Sequence, residues 1–103
     1  MPWILLLLAG LFEIAWAIGL KFTEGFTRLW PTLGTVTALV ISVVLLGMAA
    51  KSLPIGTAYA VWTGIGAAGT VLCGFLFFAE PASVTRLFCV TLIIGGALGL
   101  KLA

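Results

Sequence analysis

Histidine and aspartate are absent from this chain of 103 residues, and only 8% of it is charged, five Lys/Arg against three Glu. Those absences remove most of the usual metal ligands, and Cys73 and Cys89 stand alone inside apolar runs rather than at ligand spacing. The two cysteines read as buried, reduced packing residues, and neither a metal nor a cofactor is expected. No nucleophile and base are paired in the sequence, so an enzyme is not expected either. A soluble domain carries about 25% charged residues, far more than this chain, and nucleic-acid binding is excluded along with solubility.

Hydrophobic residues make up 63% of the chain, and the mean hydropathy is +1.34. That is the composition of an integral membrane protein. Because one crossing takes about 20 apolar residues, four helices joined by short turns use up the length as a single all-α domain. The few charges mark the boundaries, and the spans are expected at roughly residues 2–20, 30–50, 55–79 and 82–100. Lys21 to Arg28 form a polar connection, Pro31 stands where a helix start tolerates proline, and Lys51, Ser52, Leu53 and Pro54 make a tight turn. Glu80 and Pro81 break the chain before the last span, from which Arg86 reaches back to the interface. Ala15, Trp16 and Ala17 look like a cleavage site, but the preceding segment has no positive region and contains Glu13, so a signal peptide is not expected. No internal repeat is visible.

An excess of Lys/Arg normally selects the cytoplasmic side. Here Lys51 and Lys101 would share one side with the termini, while Lys21, Arg28 and Arg86 lie on the other. With almost no bias, the chain is expected to insert in both orientations and pair as an antiparallel dimer.

Glu13 is the most informative residue. Eleven steps of 1.5 Å from Pro2 place it about 16 Å into the first span, near the middle of a ~30 Å hydrocarbon layer. A carboxylate there cannot snorkel, and its cost marks it as functional. No intramembrane Lys or Arg stands opposite, so its partner is a proton, a cation from outside, or nearby hydrogen-bond donors. The plainer reading is a protonated acid that bonds two helices together.

Spacing identifies candidate donors. Trp16 is at i+3 from Glu13, on the same helix face. Tyr59 and Trp62 are also three apart in the third span, and Thr63 and Gly66 continue that face, while Ser42 lies well inside the second span. Polar-tipped aromatics could flank a flat cation beside the carboxylate, although aromatics also mark interfaces and a serine can bond its own helix.

Gly64, Gly66 and Gly69 spell GxGxxG, but a dinucleotide loop needs a strand before it and a soluble helix after it. Inside an apolar span, Gly64 and Gly66 read instead as a thinned segment and candidate hinge. Gly95 and Gly99 form a GxxxG pair in the fourth span, with Gly96 beside them, and read as a dimer interface. Lys21, Arg28, Lys51 and Arg86 read as headgroup anchors, Glu24 as a loop charge and Glu80 as a helix-boundary residue. Lys101 either snorkels or influences the path to Glu13.

Taken together, these motifs resemble a known family. The run Phe12, Glu13, Ile14, Ala15, Trp16, Ala17, with Leu20 and Lys21 and then Gly25 to Leu29, resembles the small multidrug resistance transporters. The stretch Lys51 to Gly66, with its Lys-Ser-Leu-Pro-Ile-Gly-Thr start and its Ala-Tyr-Ala-Val-Trp core, is similar to the guanidinium-exporter subtype, and the likeness covers essentially the whole chain. The resemblance implies a dual-topology antiparallel homodimer in the bacterial inner membrane that exports guanidinium against protons. By position, it implies that proton and substrate compete at Glu13, with Trp16, Ser42, Tyr59 and Trp62 as the hydrogen-bonding and aromatic surround. Guanidinium stays charged at physiological pH, so it needs a carrier to cross lipid.

Two other readings remain open at this point. One is a promiscuous exporter of quaternary ammonium and aromatic cations, whose site must admit bulky apolar groups. The other is a membrane regulatory subunit that transports nothing, with Glu13 as a structural acid.

Overall fold

A computed structural model describes residues 2–102. It contains four helices, α1 (Pro2–Phe22), α2 (Leu29–Ala50), α3 (Ile55–Phe77) and α4 (Val84–Leu102), and no strand among the described residues. Their lengths of 21, 22, 23 and 19 residues correspond to rods of about 28–35 Å at 1.5 Å per residue. All four are long and apolar enough to cross a membrane.

The breaks between helices have local causes. Thr23 is buried after α1; its hydroxyl donates to the Leu20 carbonyl at 2.8 Å and accepts from the Phe26 N–H at 3.2 Å. Glu24, Gly25 and Phe26 then all take left-handed backbone conformations, which α-helix cannot continue through. α3 ends before Ala79, whose φ of 53° folds the chain back so that the Glu80 N–H reaches the Gly74 carbonyl at 3.1 Å. α4 starts at Val84, two residues later than the sequence suggests, with the Ser83 hydroxyl accepting from the Arg86 N–H at 3.1 Å as a helix cap.

α1 packs on α2 and α3, whereas α4 packs on α3 alone. The backbone packing runs from α2 to α1 to α3 to α4, with no contact between α4 and either α1 or α2 among the described residues, and the molecule measures 40 × 34 × 16 Å. The chain is therefore nearer to a layer of helices than to a closed bundle. Its tightest packing gathers Leu6, Ala9, Leu46, Ala49, Ala58, Val61 and Trp62 at the end that carries the α2–α3 turn. Toward the other end, α1 and α3 leave open space between them. On α4 only Val90 is buried and Cys89 is exposed, while Cys73, on α3, is half-buried; both are free. The expectation of two buried cysteines is thereby corrected: Cys89 is uncovered because the α4 backbone packs on α3 alone, and Cys73 is only partly covered.

Candidate functional site

The open space between α1 and α3 forms a groove of about 360 Å³ lined by Glu13, Trp16, Ala17, Thr63, Gly66, Ala67, Thr70 and Val71. Glu13 and Trp16 share it because residues three apart on a helix project from one face. The Glu13 carboxylate lies directly against Gly66, where any β-carbon would collide with Oε1. Gly66 thus lets the acid tuck against α3, and the carboxylate stays half-buried and free to meet whatever enters the groove. The Trp16 Nε1 nearby is buried without a hydrogen-bond partner, a donor still unspent.

Ser42 and Trp62 lie one helical turn away and are bonded to each other. The Ser42 hydroxyl, fully buried, donates to the Ala9 carbonyl at 2.6 Å and accepts the Trp62 Nε1–H at 2.9 Å. One serine therefore ties α2 and α3 to the α1 backbone four residues before Glu13. Each such buried bond contributes roughly 1 kcal/mol, and breaking one strands its partner at a larger cost. Tyr59 packs its ring on Trp62, with centroids 5.5 Å apart, but is itself 56% exposed on the protomer surface. The structure thus brings Glu13 and Trp16 into one groove and joins Ser42 to Trp62 beside it, while Tyr59 reaches the assembly only through the Trp62 ring.

Known proteins are similar to this chain along its whole length. The profile described as Small Multidrug Resistance protein matches residues 1–93. The chain belongs to the small multidrug resistance family. Among curated relatives, a guanidinium exporter of Salmonella typhimurium is 56% identical over 103 residues, covering 100% of this chain and 98% of that protein. Guanidinium exporters of Citrobacter freundii and Proteus vulgaris are 54% and 53% identical over the same 103 residues, and the chain covers 98% and 99% of them. This member of the small multidrug resistance family is accordingly a multi-pass transporter of the bacterial inner membrane.

The remaining sequence candidates fall in three places. Gly64 faces α4, where a β-carbon would sit 3.3 Å from that of Ala97, and α3 runs unbroken through both Gly64 and Gly66. Gly95, Gly96 and Gly99 have nothing within 4 Å of their β positions, so they form a flat strip on the outer side of α4. Lys101 closes a second, largely apolar groove of about 250 Å³ between α1, α3 and α4, with its Nζ 5.6 Å from the centre of the Trp3 ring and no part in the Glu13 groove.

Sequence reasoning missed Ala17, Ala67, Thr70 and Val71 as groove walls. The signal was there in the i, i+4 steps from Glu13 to Ala17 and from Gly66 to Thr70, but two stripes mean nothing until the helices carrying them are known to face each other.

Proposed function

We propose that this chain exports guanidinium in exchange for protons, as an antiparallel, dual-topology homodimer working by alternating access. The observation that carries the reading is the Glu13 carboxylate seated on Gly66 in an open groove, beside an aromatic ring whose N–H is unspent. Guanidinium is flat, permanently charged and edged with N–H donors that match a carboxylate. Indole and phenol faces suit such a cation, and the relatives named above are guanidinium exporters. Trp16, Ser42, Tyr59 and Trp62 then form the surround, the Ser42–Trp62 bond holding the wall that Glu13 faces.

One protomer does not shield this site, because only α1 and α3 line the groove and neither α2 nor α4 covers it. A second copy closes it, with the outer glycine strip at Gly95 and Gly99 as the contact between α4 helices. Two Glu13 carboxylates then face one site that holds either protons or the cation. Exclusion of one by the other couples inward proton flow to outward substrate flow, and α3, thinned at Gly64 and Gly66, supplies the hinge as the two protomers exchange conformations.

Two experiments test this reading. In proteoliposomes an imposed proton gradient is expected to drive guanidinium but not a bulky quaternary ammonium. Movement of the bulky ion alone would make the protein a promiscuous cation exporter, and movement of neither would leave a regulatory subunit. For topology, Ser52→Cys in a chain whose Cys73 and Cys89 are replaced by alanine is expected to react with an impermeant maleimide from each side in roughly equal share, as near-balanced loop charge requires. Reaction from one side only would exclude dual topology.

A further inference from the structure

The Glu13 groove does not end at Thr70. A second hollow of about 200 Å³, lined by Ala17, Ile18, Lys21, Thr70, Val71, Gly74, Phe78 and Glu80, shares Ala17, Thr70 and Val71 with the first, so the two adjoin at those residues. Their walls are two matched stripes: Glu13, Ala17 and Lys21 at four-residue steps on α1, and Gly66, Thr70 and Gly74 at the same steps on α3. Gly74 repeats what Gly66 does. A β-carbon there would collide with the Glu80 carboxylate, which the left-handed turn at Ala79 folds back onto it. Two carboxylates therefore rest on two glycines of one helix face, eight residues or about 12 Å apart along the axis.

Thr70 lies midway between them, and its hydroxyl, like those of Thr32 and Thr35 on α2, is buried without a hydrogen-bond partner; Thr70 is the one of the three that lines this groove. A threonine inside an apolar helix normally donates to the carbonyl four residues back, as Thr37 does to Leu33 and Thr91 to Leu87, each at 2.8 Å. The Thr70 oxygen is buried and makes no such bond. Its donor and its lone pairs are unspent, at a position between the two acids.

Resting on the exchange reading above, we infer that this groove is the proton path to Glu13, with Glu80 as the carboxylate that collects protons at its mouth and Thr70 as the relay between them. A proton held on a Glu80 carboxyl oxygen passes to water entering the groove. Thr70 accepts a proton on its oxygen and gives up its own, and a Glu13 carboxylate oxygen receives it as guanidinium departs. Only O–H bonds form and break. The mouth is unsuited to guanidinium itself, because Lys21 already holds its ammonium 5.0 Å from the Phe78 ring centre, the position a second cation would want. Among the described residues, Lys21 is the one charged group lining this end besides Glu80, and α2 and α4 contribute nothing to its walls. Glu24 and Arg28 pair with each other at 4.0 Å on the exposed connection.

The test separates the two legs of the cycle. In proteoliposomes carrying Glu80→Gln, guanidinium/proton antiport is expected to slow at least severalfold, while guanidinium/guanidinium exchange, which moves no proton, keeps the wild-type rate; in Thr70→Val, whose side chain also lines the Glu13 groove, antiport is expected to fall by a clearly larger factor than exchange. Thr70→Ser, which retains the hydroxyl, is expected to restore antiport. Unchanged antiport in both variants overturns the inference. So does an equal fall in both modes, which would make these residues structural. If the wild-type protein moves guanidinium in neither mode, the exchange reading itself fails, an outcome distinct from normal wild-type exchange with indifferent variants.

Discussion

Glu13→Gln is expected to abolish proton-coupled guanidinium transport while leaving the dimer folded. Glutamine has the same length and nearly the same volume, so it fits against Gly66 without a new clash. It cannot take up or release a proton, and it offers one neutral acceptor where the carboxylate offers two charged ones. Hydrogen bonds to a charged group contribute about 1.5–3 kcal/mol each, so losing the charge from a two-pronged contact weakens guanidinium binding on the order of 10²–10⁴-fold at 1.4 kcal/mol per tenfold. Isothermal titration measures that loss and liposome flux measures the transport. Because nothing in the protomer donates a side-chain hydrogen bond to Glu13 among the bonds described, thermal stability is expected to hold or rise slightly. A variant that falls apart would instead identify Glu13 as a structural acid, and one that still exchanges guanidinium for protons would remove it from the mechanism.

Gly66→Ala is expected to be nearly as damaging, though it removes no functional group. The added methyl would occupy the space now held by the Glu13 carboxylate. Either the acid swings away or α1 and α3 separate, and overpacking of this kind costs about 1–3 kcal/mol, equivalent to roughly a 5- to 150-fold loss of binding if it falls on the site. Gly56→Ala is the control, since nothing lies within 4 Å of its β position, and there the substitution is expected to be neutral or mildly stabilising. Pairing Gly66→Ala with Glu13→Asp shortens the acid by one methylene just where the methyl intrudes, so the double variant should bind guanidinium better than the two single effects multiplied together. Strict additivity in that cycle would show that the two side chains do not meet.

Much of this was readable before any coordinates. Glu13 stood out because a lone carboxylate amid apolar residues is costly to bury, and the four helices followed from length, hydropathy and the placement of eight charges. The part played by Gly66 was only half legible. Its spacing from Tyr59, Trp62 and Thr63 put it on a common face, but a glycine pattern cannot distinguish a hinge from a seat for another helix's side chain. Glu80 was less legible still. In the sequence it read only as a helix-boundary residue beside Pro81, and the left-handed turn at Ala79 is what brings it back over Gly74. Thr70 carried no signal at all, because a threonine in an apolar helix is usually satisfied by its own backbone.

The sequence by itself determined the class of the molecule and its central residue. Transfer of apolar surface out of water, and the penalty for a carboxylate in hydrocarbon, act on each residue wherever its neighbours lie. The tertiary structure decided which faces meet: that α1 lies on α3 with glycine opposite acid, that Ser42 and Trp62 satisfy each other, and that α4 leaves its glycine strip outward. Those outcomes depend on helix rotation and crossing, which a uniformly apolar helix surface leaves unspecified and which close packing of particular side chains into particular gaps resolves.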